Sequence, residues 1–291
     1  MVVVEETLSE QAEIIWRAAR RICKNAVFLK FSNASANGCH LPVQVEAALA
    51  CSHCGILLTT TCVEEKQLNA ARQKDSRVLV VQNATQALLE RAFDTNYRKI
   101  SNITRKLVDL FSISKTLQIT SASGTDVRLS IQRCKRVAQT GLAHAACDLA
   151  FLPAGEASLL LRSNVDGQIV LDRIAGQRKK LSKPIHLKVS KGHITQIKGE
   201  SEAEALRKQL RKFGKHAREI RELGVGTNHE VTFGNSAQED EKVLGSIHIS
   251  FGENHITQAK GRILQAVKGV VLKPTLSIDG KVIIDRGTIL V

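Results

Sequence analysis

The 291-residue sequence predicts an α/β protein in two parts. An N-terminal α/β domain with a parallel sheet is expected over residues 1–115, followed by a mixed α+β, mainly antiparallel domain over 116–291. Three observations carry this. The short apolar runs NAVFLKF (25–31), CGILLTTTC (54–62) and SRVLVVQN (76–83) alternate with segments able to form helices, the pattern of strands joined by crossovers. From about Thr116 the texture changes to alternating strand patterns broken by turns: TLQIT, SASGTD, VRLSI. A hydrophobic content of 43% over this length can also bury a sizeable core.

The elements follow in chain order. Thr7 and Glu10 suggest a capping box for an opening helix, in which Ile14, Ala18 and Ile22 recur at helical spacing. The stretch Asn96–Phe111 reads as a second helix with Ile100, Ile103, Leu107 and Leu110 on one side. In SASGTD (121–126), Gly124 permits a tight turn while Thr125 and Asp126 bond the backbone. HLKVSKGHITQI predicts a hairpin about Ser190–Gly192, and LSIDGKVII another about Asp279-Gly280. Between them one long helix is expected, capped by Ser201 and Glu204 and buried through Leu206, Leu210, Phe213, Ala217 and Ile220. It should end at Glu222, where Gly224 and Gly226 let the chain reverse.

Composition narrows the function. Lys and Arg outnumber Asp and Glu by 42 to 28, a formal charge of +14 that favours an acidic partner or anionic ligand. The basic residues are densest in Arg178–Lys198 and Arg207–Arg221. Aromatics make up only 3% and no reading module is present, so solvated faces are preferred to nucleic-acid binding. The start, MVVVEETLSEQAEII, lacks a basic region followed by an apolar run, and no apolar stretch reaches the roughly 18 residues of a membrane span. A cytoplasmic protein without membrane association is expected. Seven cysteines, an odd number, suggest reduced thiols rather than a disulfide framework. Cys51 and Cys54 form a lone C-x-x-C, which would need Cys62 or the Cys39-His40 pair to hold zinc; core filling is the preferred reading. The chain has no G-x-S-x-G elbow, no phosphate loop and no dinucleotide fingerprint, and Cys147 near His144 is a weak nucleophile pair.

Four segments set polar residues against glycines and apolar strands: SASGTD (121–126), LPAGEA (152–157), RELGVGTN (221–228) and EDEKVLGSIHISFGEN (239–254). In the second, Pro153 and Gly155 aim the Glu156 carboxylate from a loop. In the fourth, alternation of Ile247, Ile249 and Phe251 turns His248 and Ser250 to the opposite face of a strand. Singly, each has an ordinary structural reading: a surface turn, a helix end, a packed histidine.

In order, LPAGEA, ELGVGTN, DEKVLGSIHISFGEN and GVVLKPTLSIDG resemble the catalytic domain shared by the aminopeptidase T/S-type metallopeptidases and the dihydroxypyridine dioxygenases. TSASGTDVRLSI and FDTNYRKISNITRKL resemble the dioxygenase branch, and the likeness covers about Tyr97 to Val291. It implies that Glu156, Glu222 and His248 stand where peptidases hold metal ligands, with His248 at an iron-ligand position in the dioxygenases. Both branches also use a His-x-Asp pair before GVVLKPT, where this chain has Ala266 and Lys268.

A degenerate metal site with no cofactor is therefore expected. Lys268 would stand in for the metal between Glu156 and Glu222, with Asn254 in the same cleft. The function this suggests is a non-catalytic, pseudoenzyme-like protein that binds a peptide or small anionic ligand, as in a peptide natural-product pathway. The alternative is a metal-dependent hydrolase or ring-cleaving dioxygenase holding iron or zinc through Glu156, Glu222, His248 and either His229 or His255. The resemblance also implies a homodimer.

Overall fold

The run Val2–Glu5 at the head of the chain is a strand, and it lies second in a five-stranded parallel sheet. The computed structural model describes residues 1–32, 41–63, 65–161, 165–252, 257–259, 262–264 and 266–291. They form two compact units: Met1–Arg98 with Gly141–Ala154, and Lys99–Thr140 with Gly155–Val291. The division expected at 115/116 differs from this. The helix Tyr97–Ile113 lies with the second unit from Lys99 onward, and residues 141–154 return to the first.

In the first unit the sheet runs Phe28–Phe31, Val2–Glu5, Cys54–Leu58, Arg77–Val81, Leu149–Leu152, parallel throughout, as the alternating runs predict. Its strands are apolar on both faces because both faces are covered. Val2, Val4, Leu58 and Val81 pack with Leu88 and Leu89, while Val3, Leu57, Val78 and Val80 pack with Val45 and Leu49. The opening helix, Ser9–Ile22, differs from its expected orientation. No side chain caps it, Ile14 and Ile22 are 72% and 92% exposed, and Ala12, Ile15, Trp16 and Ala19 face the sheet instead. Cys51 and Cys54 are exposed and free. Cys62 is disulfide-bonded, against the expectation of reduced thiols. Cys39 and His40 also lie outside them.

The second unit holds two antiparallel sheets. One has eight strands, in the order His193–Lys198, Ile185–Ser190, Val165–Leu171, Asp126–Ser130, Thr116–Thr120, Thr275–Ile278, Lys281–Asp285, Thr288–Ile289. The other has six, in the order Arg173–Ile174, Val267–Val271, Ile247–Phe251, Ile220–Gly226, Glu156–Leu160, Lys135–Gln139. Both expected hairpins form. Asp279 and Gly280 take φ of 47° and 84°, the left-handed pair that a two-residue turn requires, and Asp279 accepts the Thr116 N–H at 2.8 Å.

One core joins Leu107 and Phe111, Ile119 and Ile169 of the larger sheet, Leu223, Ile249 and Phe251 of the smaller, and Leu206 and Leu210. Each such fully buried side chain contributes about 1.5–3 kcal/mol of transfer free energy. The expected long helix is shorter: Ser201–Arg211, then a single turn at Lys215–Arg218, then a strand from Ile220. Ser201 bonds Glu202 rather than forming a capping box. Among the described residues no helix is long and apolar enough to cross a membrane.

Candidate metal centre

Alternation along the six-stranded sheet sends Ala157, Leu159, Leu223, Val225, Ile247, Ile249 and Phe251 into the core. The same alternation turns Glu156, Ser158, Glu222, Gly224, Gly226, His248, Ser250 and Lys268 to the opposite face. Register then does what sequence distance hides. Gly224 lies between Ser158 and His248 on its two neighbouring strands, and Ser250 lies between Glu222 and Lys268. Glu156 and His248 are fully buried and Glu222 nearly so.

Gly224 creates the room. A Cβ there would fall within 3.0 Å of the His248 ring and of Glu156 Oε1, so only glycine lets the two side chains converge above the strand. The glycine expected to reverse the chain after a helix is instead a gap in a strand. One donor atom each from Glu156, Glu222 and His248 lie within 4.8 Å of one another; among the described residues this is the one group of its kind.

Ala237–Asp240 and the turn after it carry Glu241 and Lys242 over this face. Gly226 permits that approach, because a Cβ there would collide with the backbone of Lys242 and Val243. Lys242 Nζ pairs with Glu156 Oε2, donates to Gln139 Oε1 at 3.0 Å and lies 3.5 Å from Glu241 Oε2. Lys268 Nζ donates to Glu241 Oε2 at 2.8 Å, and its side chain keeps 27% exposure.

Burial pushes the Glu156 carboxyl up, but Lys242, then His248, outweigh it and hold the group below the usual carboxylate range. Burial acts likewise on Glu241, which Lys268 and Lys242 bring down to about 2. Burial lowers Lys242, yet Glu156 and Glu241 raise it overall. These pairs are therefore ionised.

Lys268 was expected between Glu156 and Glu222. Burial lowers its ammonium, while Glu241, then Glu222 and Glu156, raise it; its hydrogen bond goes to Glu241, and Lys242 is the lysine on Glu156. Glu241 and Lys242 were missed as site residues, although both sit in the EDEKVLG run; acidic-basic neighbours before a buried strand were the available signal. His229 is exposed, its Nε2 3.4 Å from Glu230 Oε1, and it does not join the cluster. Asn254 and His255 lie outside the described residues.

Glu156 Oε1, Ser158 Oγ and both ring nitrogens of His248 are buried without a hydrogen-bond partner. His248 Nε2 and Glu156 Oε1 are 3.5 Å apart. Buried polar atoms left this way are costly, and a cation would satisfy the Glu156 oxygen and the unprotonated ring nitrogen of His248. Three carboxylates face two ammonium groups, which leaves one negative charge over before His248 is counted. One imidazole and two carboxylates are also the donor types that non-haem iron and related divalent ions take. The residues present therefore fit a metal.

The family model described as NicX, 2,5-dihydroxypyridine 5,6-dioxygenase, matches residues 22–291. The solved 2,5-dihydroxypyridine dioxygenase from Pseudomonas putida KT2440 superposes with a TM-score of 0.82 at 17% identity, covering 99% of this chain and 90% of that one. Wild-type AmpT from Thermus thermophilus superposes with a TM-score of 0.65 at 13% identity, covering 100% and 94%. At these identities the superpositions establish the fold. No curated protein matches the chain.

Three expectations are overturned. The non-catalytic peptide-binding function gives way to a catalytic ring-cleaving dioxygenase reading, because the family match is to an enzyme of that class. The pseudoenzyme with a degenerate site conflicts with the same match and with the converging donors. The absence of a cofactor conflicts with an iron-dependent family, which the iron alternative fits.

Proposed function

Because the chain belongs to the 2,5-dihydroxypyridine 5,6-dioxygenase family, we propose that it is an iron-dependent dioxygenase that opens a hydroxylated pyridine or a similarly electron-rich ring. The observation that carries this reading is the buried Glu156–Glu222–His248 cluster with unpartnered donor atoms. These three residues would hold the iron, without the His229 or His255 that the metal alternative added to them. Bound ferrous iron supplies the redox chemistry by which dioxygen reacts with such a ring.

The chain's own groups supply the rest. Gly224 keeps His248 and Glu156 side by side. Lys242 fixes one oxygen of Glu156, so its other oxygen faces His248. Lys268, the partly exposed cation of the cluster, would lie against the ionised hydroxyl of the ring and favour that form over the neutral phenol. The near-complete burial of Glu156, His248, Ser158 and Ser250 keeps bulk water from the carboxylates.

The test is oxygen uptake by protein loaded anaerobically with ferrous iron and given 2,5-dihydroxypyridine, with ring absorbance followed in parallel. Uptake matched to ring loss in the wild type, and absent in His248→Ala and Glu222→Gln, is the expected result. A loaded wild type that consumes no oxygen with this or other dihydroxylated rings refutes the proposal.

A further inference from the structure

We propose that Lys242 sets both the affinity of the Glu156–Glu222–His248 site for a divalent cation and the number of Glu156 oxygens that the cation can use. The inference rests on the metal reading above and adds a residue that is not a ligand. It starts from the placement of one ammonium group. Lys242 is 5% exposed at its side chain and Glu156 1%, and Lys242 Nζ lies on Glu156 Oε2. Gln139, the cross-strand neighbour of Glu156, holds the same ammonium from a second side at 3.0 Å. Glu241 lies 3.5 Å away on a third.

The opposite oxygen, Glu156 Oε1, has no hydrogen-bond partner and points towards His248. Glu156 is thus divided: one oxygen belongs to Lys242 and one is left for a cation, which the carboxylate would hold through that atom. A cation at Oε1 and the ammonium at Oε2 would then share one carboxylate in a buried site, where like charges repel far more strongly than in water. Lys242 therefore weakens cation binding while it stabilises the cation-free protein by compensating Glu156 and Glu241. Lys242 is a positioning residue, acting on the metal through Glu156.

The placement follows from the fold and does not depend on chance contact of a long side chain. Gly226 lets the backbone at 242–243 lie against the strand, and Asn228 N–H donates to Lys242 O at 2.9 Å. The ammonium is delivered over Glu156 by backbone geometry.

The experiment measures binding of Co²⁺ to metal-free full-length protein by chelator competition, in the wild type, Lys242→Met, Lys242→Arg, Glu241→Gln and His248→Ala. Lys242→Met is expected to bind on the order of ten-fold tighter or more, Lys242→Arg to stay within about three-fold, and Glu241→Gln to bind weaker, as the changes in local charge require. The gain in melting temperature on adding Co²⁺ should also be larger for Lys242→Met than for the wild type. Lys242→Met that folds normally and binds no tighter than the wild type overturns the inference while leaving the metal reading intact. If Lys242→Met does not fold, Glu241→Gln decides: binding as tight as the wild type or tighter also overturns it. Binding by Lys242→Met alone, with none by the wild type, supports it. No binding by either, or binding that His248→Ala leaves unchanged, overturns the metal reading itself.

Discussion

Gly224→Ala tests the convergence on which the site depends. The added Cβ would lie within 3.0 Å of His248 Cε1, His248 Nδ1 and Glu156 Oε1, and each must retreat by several tenths of an ångström or more. The two neighbours give way at different cost. Glu156 is held by its buried pair with Lys242, and breaking such a pair costs about 3–5 kcal/mol. His248 has no hydrogen bond to lose, so its ring should move first. Its displacement is ordinary overpacking, about 1–3 kcal/mol. For a body of this size that is a fall in melting temperature of about 2–12 °C. Metal content after loading should drop sharply, because the imidazole leaves the carboxylates. Gly269→Ala serves as the control: on the same sheet the atoms nearest its Cβ would be those of the Leu171 side chain, so it should destabilise comparably and still take up metal. Calorimetry and elemental analysis of both variants decide the matter. A Gly224→Ala protein with wild-type melting and full metal content would refute the reasoning.

Gly226→Ala should be worse than Gly224→Ala, by roughly 3 kcal/mol or more overall, because its Cβ meets the backbone of Lys242 and Val243, which cannot rotate away; denaturant titration measures it. Phe111→Ala, at a fully buried core position, should cost about 3–5 kcal/mol in the same titration. Glu202 accepts hydrogen bonds from Ser182 Oγ, Ser182 N–H and Ser201 Oγ, which hold its carboxyl down at about 2. A lowered folded-state value means that the ionised form stabilises the fold, so its contribution is complete above the ordinary value of 4.5 and is lost as pH falls towards 2. The stability gap between the wild type and Glu202→Gln should accordingly be widest near neutrality and close by about pH 2; a gap independent of pH would contradict this.

Much of the fold was legible because it rests on local patterns. Period-two alternation marked the hairpins at 186–197 and 276–284, Asp279-Gly280 named its own turn, and the three apolar runs of the first unit became strands of one parallel sheet, the second and third side by side. Glu156, Glu222 and His248 were legible as candidates through family resemblance, since each segment alone had an ordinary structural reading. Two features misled. In Ser9–Ile22 apolar residues occupy two faces of the helix, so spacing by itself could not say that Ala12 and Trp16, and not Ile14 and Ile22, meet the sheet. Gly224 and Gly226 look alike in sequence whether they end a helix or lie within a strand, and the partners on either side made them strand residues.

What the sequence by itself determined was therefore the two hairpins, the apolar strands of the first unit and, through resemblance, Glu156, Glu222 and His248 as candidates. Only the tertiary structure decided how those donors meet and which cation attends them. The physical reason is range: strand register is set by burying the opposite face against a distant core, so that Gly224 comes to lie between Ser158 and His248. A lysine's partner, in turn, depends on which backbone can approach beneath it. Gly226 admits the backbone of Lys242, placing its ammonium on Glu156 and leaving Lys268 to Glu241.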